Sequence, residues 1–161
     1  MAVTDDGYRY GVNTLKFKNT ALGLIDEESI DWGGTTPETV EIWAAQQRSA
    51  PAKIIQKNQG KNELKFNLIE LKPANMVVVM GGKVNAKSGY DAPRESVTLE
   101  GPVEIVTADG STIKIPKASL VAAMKGKLGY SDVLKVECTL TILLPDDAES
   151  APFTIDPPAA V

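Results

Sequence analysis

The chain has 161 residues, a formal charge of −4, no histidine and one cysteine. That length builds one domain with a hydrophobic core and is short for two. The acidic balance argues against a protein that grips nucleic acid by displacing counterions from its phosphates. The lack of histidine removes Ser-His-Asp and Cys-His nucleophile pairs, His-ligated metals and the side chain that titrates nearest neutrality.

Met1–Asn13 carries Asp5, Asp6, Arg9 and two tyrosines without an apolar core. It does not read as a secretory signal peptide, and no run approaches the length of a membrane span. A soluble protein made in a cytoplasm is expected. The end segments 1–13 and 146–161, the latter mixing acids with Pro152, Pro157 and Pro158, are expected to be flexible or to order at an interface with a neighbouring chain.

Thr14–Lys18 alternates Leu15 and Phe17 with lysines and predicts a first strand. Ala21–Ile25 reads as its continuation after a kink at Asn19 and Thr20, with Gly23 marking a bulge or a close approach. Asp26–Gly34 reads as an acidic loop whose Trp32 plugs the edge of the core. Thr39–Ala45 puts Val40, Ile42 and Ala44 on one face and Glu41 and Trp43 on the other, a two-faced strand able to look into a core and toward a partner or a lumen. Pro51 breaks this run. Ala52–Lys57, with Ile54 and Ile55, and Glu63–Leu71, where Leu64, Phe66 and Leu68 alternate with polar residues, flank Asn58-Gln59-Gly60-Lys61 and read as a hairpin with a basic, polar loop.

Pro73 suits a first helical turn, because the N–H it lacks would be unpaired there. Ala74–Met80 then runs apolar to Gly81-Gly82, a stop signal. Its three valines favour a strand on propensity, but the proline start and glycine stop point to a short helix. Lys83–Arg94 reads as an exposed loop. Glu95–Ala108 and Ser111–Ile115 flank Asp109-Gly110, the dipeptide suited to a tight hairpin turn, and Pro102 implies a bend or an edge position. Ala118–Met124 alternates as a strand, although its composition also suits a helix. After a turn at Gly126–Ser131 comes the longest alternation: Leu134, Val136, Cys138, Leu140, Ile142 and Leu144 on one face, Lys135, Glu137, Thr139 and Thr141 on the other. This strand should be central. Cys138 within it reads as a small buried residue, not a nucleophile or half of a disulfide.

The expected core is Leu64, Phe66, Leu68, Leu134, Val136, Leu140 and Ile142. The expected fold is mainly β, an antiparallel β-sandwich or flattened barrel with one short flanking α-helix, as a single domain over residues 1–161 without internal repeats.

No catalytic, cofactor-binding or metal-binding constellation is found. Asp26, Glu27, Glu28 and Asp31 lack the alternating ligands and central glycine of a calcium loop, and a charge run on a loop is ordinarily a solvated face. Gly60-Lys61, Gly82-Lys83 and Gly126-Lys127 have Ile55, Val77 and Val121 five residues before the glycine, so no phosphate-cradling loop is present. Charge is nevertheless unevenly placed. No basic residue lies between Lys18 and Arg48, and from Arg48 to Lys65 only Glu63 opposes the bases. Asp26, Glu27, Glu28 and Asp31 are therefore candidate inter-subunit contacts to Lys53, Lys57, Lys61 and Lys65, the alternative being two solvated faces of one subunit.

Several phrases carry a family resemblance: E-T-V-E-I at Glu38–Ile42, L-I-E-L at Leu68–Leu71, P-A-N at Pro73–Asn75, the Gly81-Gly82 stop, G-P-V-E-I-V-T-A-D-G-S-T-I-K-I-P-K-A at Gly101–Ala118, and S-D-V-L-K-V-E-C-T-L-T-I-L-L-P at Ser131–Pro145. In this order, from about Leu15 to Pro145, the chain resembles the major tail tube proteins of tailed bacteriophages. The resemblance implies a structural virion protein, not an enzyme, made in the bacterial host cytoplasm and resident in the virion tail. It also implies hexameric rings stacked into a tube that meets tail tip and tail terminator proteins at its ends. Genome DNA would pass through the lumen without specific binding, and no cofactor would be needed. The alternative from a different class is a monomeric β-sandwich binding module, either sugar-binding or a virion decoration domain.

Overall fold

The computed structural model describes residues 5–27 and 30–159. The fold is mainly β, and among the described residues all strand pairs are antiparallel and there is one helix. The main sheet, among the described residues, does not close into a barrel.

The centre of that sheet is a meander of β9 (Leu99–Val106), β10 (Thr112–Gly126) and β11 (Leu134–Ile142). On the β9 side it is extended by β1 (Thr14–Phe17) and β2 (Thr20–Ala21), and on the β11 side by β6 (Lys61–Leu68) and β3 (Asp31–Thr35), giving the order β2-β1-β9-β10-β11-β6-β3. Residues directly opposite in an antiparallel ladder share a face, so the register shows how the core is made. Leu120, Leu140, Leu64 and Trp32 form one row across four strands. Leu15, Ile105 and Ile113 form another, and Phe17, Val103 and Ile115 a third. Their buried side chains belong to a single hydrophobic cluster.

The expectation of separate strands at Ser111–Ile115 and Ala118–Met124 is corrected: both belong to β10. Its inward residues are odd-numbered up to Ile115 and even-numbered from Ala118. Such a switch would turn the strand inside out, because side chains alternate with period two. Instead Pro116 and Lys117 together face one residue of β9, since Ile115 pairs with Val103 and Ala118 with Gly101. This β-bulge absorbs the extra residue and restores the face. It also accommodates Pro116, which has no N–H for a ladder.

The helix α1 spans Pro73–Met80, as the Pro and Gly-Gly signals require, and buries Met76 and Val79 against the core. Gly81 ends it at φ 76°, its N–H donating to the Val77 carbonyl. The 83–94 region is not wholly loop: β7 (Lys83–Val84) pairs with β8 (Tyr90–Asp91), and the Tyr90 hydroxyl donates to the Gly81 carbonyl at 2.7 Å.

Four other expectations change. The predicted kink at Asn19 and Thr20 is a reversal: Phe17 pairs with Thr20, and Lys18 and Asn19 between them both have positive φ, as a two-residue hairpin turn demands. Asp31–Thr35, expected in a loop, is the edge strand β3. Leu134 and Ile142 are only half-buried, because they stand at the two ends of β11. Within the 146–161 segment, β12 (Thr154–Asp156) pairs with Thr112–Lys114 of β10 in the same chain. It occupies the side of β10 that β11 takes beyond the bulge. Near the other terminus, Asn13 N–H donates to the Val106 carbonyl and the Tyr10 carbonyl accepts from Ala108 N–H, which ties residues 10–13 to the end of β9.

Candidate functional site

The predicted hairpin between Ala52–Lys57 and Glu63–Leu71 does not exist, and its replacement is the most distinctive part of the molecule. β5 (Lys53–Asn58) pairs with β4 (Glu38–Ile42), while β6 pairs with β3 and β11. Asp31 lies opposite Lys65, Thr35 opposite Lys61 and Glu38 opposite Asn58. The register thus stays in step from Asp31–Lys65 to Glu38–Asn58, past which a bulge at Lys57 shifts it by one as β4 and β5 go on pairing. The four strands are one long ribbon, and Gln59-Gly60 is a joint in it instead of a turn. The chain reverses between Ile42 and Lys53, where Pro51 lies.

The joint is where backbones come too close for side chains. A Cβ on Gly34 would meet the Lys61 carbonyl oxygen at 2.2 Å, and one on Gly60 would meet that of Thr35 at 2.2 Å. Gly60 also has φ +73°, which L side chains rarely adopt. Opposite it, Pro37 cannot donate to the ladder. Two glycines and a proline therefore set the arm beyond, residues 35–61, apart from the main sheet.

Among the described residues, nothing covers this arm. Ladder pairs put Val40 and Ile55 on one face, with Ile42, and Ile54 on the other, and Trp43 follows the end of β4. These five side chains are 43–57% exposed. The expectation of a strand facing a core on one side is therefore corrected, because both faces of β4 meet solvent. An isolated two-stranded hairpin is marginally stable in water, and exposed apolar groups gathered on one projection mark an interaction surface.

The strand register also places the candidate charges. Moving along β6 from Leu68 to Glu63 matches moving along β11 from Val136 to Thr141, away from the β10–β11 turn. The arm thus leaves the sheet on the side opposite that turn. Lys53 and Lys57 lie exposed on the arm and Lys61 at its joint, where its ammonium contacts Glu63 at 2.6 Å. That contact holds the Glu63 carboxyl below its usual range. Asn58–Lys61, expected as a hairpin tip, is thus the root of the arm. Lys65 faces Asp31 across the β3–β6 ladder.

Asp26 lies near the opposite end, its N–H donating to the Asn67 carbonyl and its carboxylate held by Lys135 at 2.6 Å. Glu27 is exposed beside it, and Glu28 falls outside the described residues. The acidic run is consequently divided. Asp26 and Glu27 stand at one end, Asp31 on the edge strand, and Glu38 and Glu41 on the arm among the lysines.

A second feature had no signal that the alternation pattern could supply. Phe153 packs edge-on against Trp32, ring centroids 5.4 Å apart. With Tyr10, Ile30 and Ile155 they surround a cavity of about 440 Å³. Its floor is the buried Leu64, Ile105 and Ile113, and its rim carries Arg9. Arg9 is ion-paired to Asp5 at 2.7 Å and lies 3.7 Å from Asp109. Asp109 itself accepts hydrogen bonds from the hydroxyls of Ser111 and Thr107, which hold its carboxyl down at about 2. These bonds lock the β9–β10 turn. Trp32 thus plugs the core's edge as expected, but it does so as one wall of a hollow.

Cys138 is buried, and desolvation pushes its thiol up to about 12. Among the described residues no group of three or more His, Cys, Asp or Glu is placed to hold a metal ion, and no helix is long and apolar enough to cross a membrane. No protein-family model matches the chain, and no curated protein matches it.

Proposed function

We propose that this chain is a self-assembling structural protein, the subunit of a phage tail tube built of stacked hexameric rings that conduct the genome. The observation that supports this reading most is the 35–61 arm. An apolar ribbon projecting from a complete core has no role in the fold of its own chain, but it fits a contact made with the next copy. Such a contact is heterologous, joining unlike surfaces of two copies, and heterologous contacts generate rings or filaments. Part of the candidate charge set supports it: Lys53, Lys57 and Lys61 lie on the arm side and Asp26 and Glu27 toward the other end, although Asp31 faces Lys65 within one chain and Glu38 and Glu41 stand on the arm. Opposed charges of this kind steer register and disfavour reversed docking. Each exposed pair contributes only about 0–1 kcal/mol, so the arm's apolar side chains supply most of the affinity. The phrases shared with tail tube proteins supply the specific identity, including tail tip and terminator proteins as end partners and the virion tail as location.

A monomeric binding module is the competing reading, and the cavity beside Trp32 is the feature that favours it. It leaves the arm without a purpose. Electron microscopy of the purified, concentrated chain separates the two, since rings or tubes support assembly and persistent monomers refute it. The variant carrying Lys53→Glu, Lys57→Glu and Lys61→Glu should fold normally and form no tubes. Tubes of normal length from that variant would remove these lysines from the contact.

A further inference from the structure

The strand β10 joins two features that the assembly reading has not yet used. At its first residues Ile113 forms part of the cavity floor, and at its last, Gly126, the chain enters the turn to β11. Thirteen residues separate Ile113 from Gly126, about 43 Å along an extended strand. Cavity and turn are therefore at opposite ends of one strand, and the arm projects on the cavity side.

The turn is unlike an ordinary polar reversal. Tyr130 and Leu128 are 113% and 86% exposed, the two most exposed large apolar side chains among the described residues, and Val133 beside them is 52% exposed. Turns are normally built from Gly, Asn, Asp, Ser and Pro, so a leucine and a tyrosine held out into water need another explanation. The bases Lys125 and Lys127 precede them and the acid Asp132 follows, Lys125 being paired with Glu137 at 2.9 Å.

We infer that Leu128 and Tyr130 of one copy insert into the Trp32–Phe153 cavity of the next copy, a head-to-tail contact that rests on the assembly reading above. Three observations carry it. First, size: about 440 Å³ lies within the roughly 300–1,000 Å³ of pockets that engulf drug-sized molecules, enough for a leucine and a tyrosine side chain. Second, chemistry: the floor is aliphatic and the walls aromatic, while the rim's Arg9 is held by Asp5 at 2.7 Å and lies 3.7 Å from Asp109, two acids to one base to meet Lys127. Third, position: a knob and a hole at opposite ends of one strand let each copy give one and receive one. The contact therefore propagates, and no copy is left with both sites filled by the same neighbour.

Two measurements on the full chain test this. Chains carrying Tyr130→Cys and chains carrying Ile155→Cys, mixed and treated with a short bismaleimide, should yield a cross-linked dimer, whereas neither chain alone should. Cys138 does not compete, being buried. Leu128→Asp with Tyr130→Asp should melt like wild type, because both side chains are exposed, yet should raise the concentration needed for assembly roughly tenfold or more, the effect of losing a contact worth over 1.4 kcal/mol. Tyr130→Phe should assemble like wild type. If wild type assembles, the double variant assembles at the same concentration and no mixed cross-link forms, the knob-and-hole contact is wrong while the assembly reading stands. If wild type stays monomeric, both are wrong. A small molecule found filling the cavity in assembled wild-type protein, with no mixed cross-link, would also overturn the contact.

Discussion

Leu140 is the most direct probe of the core described above. It is 1% exposed and sits in the row between Leu120 and Leu64, both 0% exposed. Leu140→Ala removes three carbons, about 2.4 kcal/mol of transfer free energy at roughly 0.8 kcal/mol per methylene. The neighbouring backbones are fixed by ladder hydrogen bonds on both sides, so the space cannot collapse and a cavity cost is added. Buried Leu→Ala changes span about 2.7–5.0 kcal/mol, and this site belongs in the upper part, about 3–5 kcal/mol. For 161 residues, an unfolding entropy of roughly 2.1 cal/mol/K per residue converts this to a Tm about 9–15 °C lower. Leu144→Ala is the control: Leu144 lies beyond the end of β11 and is 78% exposed, so its effect should stay within about 0.5 kcal/mol. Calorimetry or a circular-dichroism melt at a concentration where the chain is monomeric reads both. A Leu140→Ala melt within about 2 °C of wild type would refute the β6–β11–β10 register.

Gly60→Val should leave the monomer's melt nearly unchanged while preventing assembly, because the clash falls at the joint of the arm and not in the core; normal tubes from this variant would show that the arm's direction is unimportant. Asp109 gives a pH prediction. Its folded-state carboxyl titrates at about 2 against an ordinary 3.8, so its hydrogen bonds stabilise the fold fully above pH 4 and that contribution is lost as pH falls from about 4 to 2. Asp109→Asn should flatten that part of the stability profile in acid titrations, and an unchanged slope would show that other carboxylates dominate. The isolated subunit should show no salt-sensitive affinity for duplex DNA in a titration, whereas micromolar binding that weakens steeply with salt would contradict the conduit reading.

Much of the fold was legible because burial on one face leaves a period-two trace. Leu64, Phe66 and Leu68, like Val136, Cys138 and Leu140, lie as their alternation requires, and Pro73 with Gly81 bracketed the helix. Reading failed where alternation and pairing parted company. Ile54 and Ile55 suggested a core strand, but apolar character does not distinguish a face covered by its own chain from one that awaits another. The ribbon was misassigned because Asn58-Gln59-Gly60-Lys61 has turn chemistry while Pro37, 21 residues before Asn58, marks the same joint on the other strand. The bulge at Pro116-Lys117 hid β10's length by changing the parity of its inward positions. Trp32 was placed correctly at the core's edge, but the cavity needs Phe153 and Ile155, brought there by the pairing of residues 154–156 with 112–114, which spans some forty residues and leaves no local pattern.

The order of strands in the sheet also has a consequence for how the chain is made. β1 and β6 are synthesised early, yet their neighbours are β9 and β11, residues 99–106 and 134–142. A ribosome therefore releases two flanks with no centre, joined by an arm that already has its own local ladder, and only the chain from β9 at Leu99 onward supplies the meander on which both flanks can dock. Until then Leu64, Phe66 and Leu68 remain open to water beside an arm whose own apolar side chains are exposed. Premature association of nascent chains is the hazard that this topology carries. The late-arriving β9–β10–β11 hairpins, whose contacts are local and close quickly, are what limits its duration.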